Sequence, residues 1–212
     1  MGIYSERTTC LIPGCGRPIQ TLTGTGHSKK YCKQHVEFHR RHGSYWFSSL
    51  KAEDVAPFRR ISEKWIKKNA ADFRINFGLQ QIESLLEQAG RAENAYDLRY
   101  FSGKEKARIA LARIRAAGIA PKEILTRIIA ITLCCEARGV DNRLREYRHV
   151  QLAKSIHRLA SGTHRTTSGF RMKTKYPRSE GNVLRYLGRQ LDDIAAFVLN
   201  DRDLSQFLPP AK

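Results

Sequence analysis

Apolar residues recur three and four positions apart over most of the chain after Leu50. This spacing is typical of α-helices with one buried face, and almost no stretch alternates apolar and polar residues as a half-buried strand does. The pattern therefore predicts a mainly α fold, with a helical domain of about six or seven helices. The predicted helices span residues 53–73, 79–90, 91–100, 103–117, 121–138, 141–161 and 181–200.

The turn between two of these helices carries the clearest local signals. Gly118 is suited to end a helix, because glycine readily adopts the left-handed conformation found there. Pro121 suits the first turn of the next helix, where its missing amide hydrogen is not needed. That next helix is apolar over most of its circumference, so we expect it to be the central core helix rather than a helix that enters a DNA groove. Its apolar residues are Ile124, Leu125, Ile128, Ile129, Ile131 and Leu133, with Ala130, Cys134 and Cys135.

The first 50 residues differ from the rest of the chain. They hold four of the seven histidines and six of the fifteen glycines, and they show no long helical period. The sequence thus predicts a small loop-rich module at residues 1–50 and a basic helical domain at residues 51–212. Within that domain, a run rich in Gly, Ser, Thr and Pro predicts a long basic loop near residues 161–180.

Composition and charge narrow the class of partner. Of the 212 residues, 41% are hydrophobic and 27% are charged, as in ordinary globular proteins. The formal net charge of +18 favours a polyanionic partner, with nucleic acid first. No apolar run reaches the length of about 18 residues that a membrane helix needs, so we expect no membrane partner. The N-terminal residues do not resemble a secretory signal, and we expect a cytoplasmic protein.

A group of cysteines and a histidine predicts a metal site. Cys10 and Cys15 flank a Pro-Gly turn, and Cys32 precedes His35 by three residues. A spacing of three places two side chains on one face of a helical turn. Three thiolates and an imidazole suit a tetrahedral zinc ion, and a set of four protein ligands is the structural kind. We therefore predict a structural Zn²⁺ bound by Cys10, Cys15, Cys32 and His35.

Other histidines offer alternative ligands. His27, His39 and His42 lie in the same segment. A pair formed by His35 and His39 would have the four-residue spacing of a ββα zinc finger, but it would leave Cys32 unused. A catalytic zinc is disfavoured because four good protein ligands leave no open position.

The segment that carries these ligands resembles a known family. The run Cys-x4-Cys-Gly-Arg-Pro, then Tyr-Cys-x2-His, then Arg40-Arg41-His42-Gly43, is similar to the treble-clef zinc fingers that accompany HNH homing endonucleases and many phage proteins. The resemblance covers residues 8–45. It implies a zinc-binding module that contacts nucleic acid, with DNA preferred over RNA, and an origin in a phage or mobile element, as a regulator.

The remaining chain shows no catalytic set. The His and Asn residues that an HNH nuclease places on a hairpin and a helix are not recognisable. His149 and His157 lie on a basic helix, where we expect them to face solvent or phosphate. Cys134 and Cys135 are expected to be buried small apolar residues rather than nucleophiles. The sequence favours a non-catalytic protein, with a divergent metal-dependent nuclease as an alternative.

Basic residues are concentrated in the second half of the chain. Between Arg138 and Arg189, thirteen residues are Lys or Arg and three are Asp or Glu. Such residues neutralise phosphates, which favours nucleic acid as the partner. We expect double-stranded DNA, with an acidic protein or a nucleoprotein complex as the alternative. Phe170 and Tyr176 lie between basic residues and are suited to stack on unpaired bases. The predicted nucleic-acid contacts are Lys29, Lys30, Arg40, Arg41, Arg145, Arg148, Arg158, Arg165, Arg171, Lys173, Lys175 and Arg178.

Overall fold

The computed structural model describes residues 8–19, 30–94, 97–160 and 181–200. These residues form seven α-helices and no β-strand, so the predicted mainly α class is confirmed. In the same ranges, no helix combines the length and the apolar character that crossing a membrane requires. The helices are α1 (Lys33–His42), α2 (Ala52–Lys68), α3 (Phe73–Glu87), α4 (Gly103–Ala116), α5 (Pro121–Ala137), α6 (Arg145–His157) and α7 (Asn182–Leu199).

Helix α5 forms the centre of the core, as its composition predicts. It packs against α2, α3, α6 and α7. Leu125, Ile128 and Leu133 are completely buried. The predicted local signals are also present, because Gly118 has a φ of +69° and Pro121 is the first residue of α5. The core therefore surrounds a helix whose local sequence already defines its beginning.

The boundary between α2 and α3 differs from the prediction. Helix α2 ends at Lys68 instead of residue 73, and α3 begins at Phe73 instead of residue 79. The side chain of Asp72 accepts hydrogen bonds from the amides of Arg74 and Ile75, at 2.8 and 3.4 Å. An N-terminal cap of this kind binds amides that have no partner within the helix. The cap at Asp72 therefore fixes where α3 begins, and the spacing of apolar residues does not reveal this position.

The helix predicted at residues 91–100 is wrong. Residues 91–94 have no regular structure, and Asp97–Tyr100 form one 3-10 turn. Gly90 ends the preceding segment with a φ of +68°. The side chain of Arg115 on α4 donates to the carbonyls of Leu86 and Glu87, at 2.9 Å each. The end of α3 is thus bound by a side chain of α4, and Gly90 follows in the left-handed conformation in which helices commonly end.

The last two helices follow their predictions closely. The segment predicted as a helix at 141–161 consists of α6 with a 3-10 turn at each end, Asn142–Leu144 and Arg158–Ala160. Helix α7 begins and ends within one residue of the predicted bounds. The loop predicted near 161–180 lies outside the described residues.

Candidate metal centre

Three cysteines and one histidine meet in a compact cluster beside the start of α1. The Sγ atoms of Cys10, Cys15 and Cys32 and a ring nitrogen of His35 all lie within 4.8 Å of one another. The His35 Nδ1 atom is 3.4 Å from Cys10 Sγ, 3.5 Å from Cys15 Sγ and 3.3 Å from Cys32 Sγ. The Sγ atoms of Cys15 and Cys32 are 3.8 Å apart, and all the cysteines are free thiols. The four residues could hold a metal ion.

Local backbone structure positions these ligands. Within residues 10–17, the amide of Cys10 donates to the Arg17 carbonyl at 2.8 Å, and the amide of Cys15 donates to the Ile12 carbonyl at 3.0 Å. Gly14 lies between the two cysteines with a φ of +75°, a conformation that favours glycine. Cys32 immediately precedes α1 and His35 lies in its first turn. The spacing of three residues therefore places both side chains toward the same point, as predicted.

The pKa values of two thiols depend on this geometry. Burial raises the pKa of Cys10, but hydrogen bonds to its sulfur from the amides of Ile12 and Cys32 and from His35 outweigh burial and lower the pKa to about 6. The Arg17 amide lowers the pKa of Cys15, whereas burial and the sulfur atoms of Cys32 and Cys10 raise it, and the net pKa is raised.

The alternative histidine ligands point away from the cluster. The Nε2 atom of His39 lies 3.5 Å from the Glu146 carboxylate, and its ring stacks on Tyr45 with centroids 4.3 Å apart. The Nδ1 atom of His42 accepts a hydrogen bond from the Ser49 amide at 3.0 Å. Burial lowers the pKa of both His39 and His42, which favours neutral rings. His27 lies outside the described residues.

The far end of α1 is bound by side chains of the helical domain. The guanidinium of Arg185, the ammonium of Lys154 and the amide of Gln151 donate to carbonyls in the last turn of α1. Carbonyls at a helix C-terminus have no partner within the helix. These side chains therefore complete the helix and fix its direction against α6 and α7. The four acceptors are the carbonyls of His39, Arg40, Arg41 and His42.

Gly43 brings α1 into direct contact with α6. Its φ is +76°, and a Cβ atom there would lie 2.7 Å from the Glu146 carbonyl oxygen and 2.9 Å from Tyr147 Cα. Only glycine allows both this conformation and this approach. The Arg185 side chain also binds the Glu146 carboxylate, with Nε 2.6 Å from Oε1. The four-residue cluster is thus joined to the helical domain through α1, which has ten residues. The domain boundary at residue 50 stays a prediction.

Two of the predicted nucleic-acid contacts, Arg145 and Arg148, form ion pairs with a carboxylate of the protein itself. Arg145 Nε lies 2.7 Å and Arg148 Nε lies 2.5 Å from the carboxylate of Asp192, which is 1% exposed. Burial raises the pKa of Asp192, but hydrogen bonds from His149, Arg148 and Arg145 outweigh burial and hold the pKa well below its usual range. His149 is buried beside this carboxylate, so the expectation that it faces solvent or phosphate is wrong.

The other predicted contacts divide into two groups. Lys30, Arg40, Arg41 and Arg158 are exposed in the structure. The remaining ones lie outside the described residues, and their role stays a prediction. These are Lys29, Arg165, Arg171, Lys173, Lys175 and Arg178.

Two cysteines belong to the core rather than to any site. Cys134 and Cys135 are 2% and 0% exposed on α5. Burial raises the pKa of Cys134 to about 11 and that of Cys135 to about 12. Both are neutral thiols at physiological pH, which confirms the interpretation as small buried apolar residues.

Comparison with known proteins adds no relative. No protein-family model, no curated protein and no solved structure matches the chain. The resemblance to treble-clef fingers therefore rests on the sequence of residues 8–45, and the candidate metal site rests on the geometry of four side chains.

Proposed function

We propose that the chain is a non-catalytic nucleic-acid-binding protein whose N-terminal module is stabilised by one structural zinc ion. The observation that carries the proposal is the cluster of Cys10, Cys15, Cys32 and His35. Its four ligand atoms come from two segments of chain, and none of the described residues 8–19 and 30–46 belongs to the hydrophobic core of the helices. A metal ion supplies the stability that such a small unit lacks.

Four distances within the cluster agree with a tetrahedral zinc site. With Zn–S bonds of about 2.3 Å and Zn–N bonds of about 2.0–2.1 Å, a tetrahedral site has S–S edges of about 3.8 Å and S–N edges of about 3.6 Å. The Cys15–Cys32 distance is 3.8 Å, and the distances from His35 Nδ1 are 3.3–3.5 Å. Four protein ligands complete the coordination, so the ion would hold the fold and would not bind substrate.

The charge of the chain supports nucleic acid as the partner. The net charge is +18, and Lys30, Arg40 and Arg41 are exposed on and beside the helix that follows the cluster. Basic side chains on a rigid helix contact phosphates and release counterions. The preference for double-stranded DNA rests on the resemblance to treble-clef fingers.

Fluorescence anisotropy tests this function directly. Zinc-loaded protein is titrated into labelled duplex DNA, single-stranded DNA and structured RNA, at low and physiological salt. We expect duplex DNA to bind most tightly and to stay bound at physiological salt. Arg40→Gln with Arg41→Gln should weaken binding, whereas Arg60→Gln with Lys64→Gln on the exposed face of α2 is the charge-matched control.

Three results would overturn the proposal. Equal binding to all three probes that disappears at physiological salt would show that the +18 charge attracts any polyanion without selectivity. Stoichiometric capture of one acidic protein after nuclease treatment, with no DNA binding, would indicate a protein partner. Magnesium-dependent cleavage of the probes would indicate a nuclease.

A further inference from the structure

A cleft lined by cationic side chains lies between α2, α5 and α6, apart from the metal centre. Its volume is about 340 Å³. Five Lys or Arg residues line it, and none of the described residues that line it is Asp or Glu. The net charge of the lining is therefore strongly positive. The five residues are Lys51, Arg59, Arg127, Lys154 and Arg158.

Three of these cations already have partners. Lys51 Nζ lies 3.2 Å from the Glu53 carboxylate, and Arg127 Nε lies 2.8 Å from the Glu123 carboxylate. Lys154 donates to the Ser49 hydroxyl at 2.8 Å.

The other two cations that line the cleft are Arg59 on α2 and Arg158, which directly follows α6. Both residues are exposed, and neither makes an ion pair with any residue that the structure describes. A guanidinium group is suited to bind a phosphate through two parallel hydrogen bonds. Arg59 and Arg158 are therefore the cations in this cleft that remain open to an external anion.

The cleft also contains an apolar surface. Leu50, Val55 and Ile131 contribute to its lining, together with the hydroxyl groups of Ser49 and Ser155. A free phosphate would need only the cationic rim. Small-molecule sites have volumes of about 300–1,000 Å³, so the cleft has room for a larger molecule with an apolar part.

We propose that this cleft binds a nucleoside phosphate, with the phosphate between Arg59 and Arg158 and the base against Leu50, Val55 and Ile131. Phosphate and base then meet the two kinds of surface that the cleft offers. The ligand is either a free nucleotide or one nucleotide of a strand. The site is separate from the contacts proposed for Lys30, Arg40 and Arg41, and it does not require the DNA-binding function.

Isothermal titration calorimetry on the zinc-loaded full chain tests the cleft. The probes are adenosine 5′-monophosphate, ribose 5-phosphate, inorganic phosphate and adenosine. We expect adenosine 5′-monophosphate to bind most tightly, because it alone uses both surfaces. Arg59→Gln with Arg158→Gln should weaken its binding by about tenfold or more, since charged hydrogen bonds are lost.

Arg60→Gln with Lys64→Gln is the control for the loss of two charges on the surface, because both residues are exposed and neither lines the cleft. It should leave the affinity for adenosine 5′-monophosphate unchanged. Equal affinity for inorganic phosphate and adenosine 5′-monophosphate would overturn the nucleoside assignment. Unchanged affinity in the cleft variant, or no binding by the wild-type protein, would overturn the site.

The two proposals fail separately. Binding of adenosine 5′-monophosphate without any binding of long DNA would overturn the proposed function and support the cleft. DNA binding without nucleotide binding would do the reverse. A 5′-phosphorylated single strand that competes with adenosine 5′-monophosphate would identify a strand as a ligand of the cleft, and failure to compete would identify the free nucleotide.

Discussion

The Nε2 atom of His149 on α6 lies 3.1 Å from the carboxylate of Asp192 on α7, and both side chains are buried. One helical turn earlier, Gly188 lies against the backbone of the same histidine. A Cβ atom at Gly188 would be 2.0 Å from the His149 carbonyl oxygen. The contact of α6 with α7 thus combines a buried ion-pair network with the closest backbone approach among the described glycines.

Replacing Asp192 by Asn should destabilise the fold by about 3 kcal/mol, because removing one partner of a buried ionic network leaves charge uncompensated. The affected groups are Arg148, whose side chain is 12% exposed, and Arg145. The sign of the pH dependence follows from the lowered pKa of Asp192. Its stabilisation is present above the pKa of the unfolded chain, about 3.9, and is lost as the pH falls toward the lower folded pKa.

Urea unfolding of wild type and Asp192→Asn at several pH values measures this difference. The gap between the two free energies of unfolding should be widest at neutral pH and should narrow below about pH 4. Asp193→Asn is the control, because Asp193 is 65% exposed and its pair with Arg145 should contribute less than about 1 kcal/mol. A gap that does not change with pH would contradict the network.

Gly188→Ala should destabilise the protein although alanine favours helices. The new Cβ would meet three backbone atoms of His149 at 2.0, 2.4 and 2.7 Å, so α6 and α7 would have to separate. We expect a loss of about 1–3 kcal/mol or more. Gly78→Ala in α3 is the matched control, because its closest neighbour is the Val198 Cγ2 atom at 2.6 Å, a side-chain atom that can move. Thermal unfolding should show a larger decrease for Gly188→Ala, and equal decreases would contradict this account.

The sequence predicts local features well. The four residues of the candidate metal centre follow from spacing, since Cys32 and His35 lie one helical turn apart and Gly14 allows the turn between Cys10 and Cys15. The core helix α5 follows from its apolar residues, which need no knowledge of its neighbours.

Contacts between distant segments could not be predicted in the same way. The carboxylate of Asp192 lies on the buried side of α7, but nothing in the sequence states that it meets Arg145, Arg148 and His149 on another helix. From the sequence alone, Arg145, Arg148 and His149 are therefore indistinguishable from a solvent-exposed basic surface. Similarly, Arg115 on α4 binds the end of α3, a contact between distant segments that no local pattern reveals.

Three basic residues outside the described ranges carry a prediction about DNA. Arg171, Lys173 and Lys175 replaced together by Gln should reduce the slope of log affinity against log salt by up to about three, because each phosphate contact contributes about one. Arg60, Lys64 and Lys67 on α2, all exposed, replaced by Gln form the control for charge loss. Anisotropy titrations over a salt series give the slope. The same slope in wild type and the first variant would remove these residues from the interface.

The five cysteines should fall into two classes toward iodoacetamide at neutral pH. After chelation of the metal, Cys10, Cys15 and Cys32 should react, because none of them is enclosed by the helical core. Cys134 and Cys135 should stay unmodified, because burial raises their pKa to about 11 and about 12 and keeps the thiolate population very small. Mass spectrometry should find three additions in folded protein and five in urea. Five additions without urea would contradict the burial of α5.

Removal of zinc should release α1 while α5 stays folded. Helix α1 has ten residues, and isolated helices this short are marginal in water. The proposed metal ion would hold the first turn of α1 through His35, and Arg185, Lys154 and Gln151 bind its last turn, so loss of the metal would leave only one end attached. Hydrogen exchange should therefore show lost protection at residues 33–42 after chelation, with α5 protection unchanged. Cys32→Ser should bind less than one equivalent of zinc and show the same exchange, whereas Cys134→Ala should retain one equivalent. Full protection of α1 in zinc-free protein would show that the helical domain alone holds it.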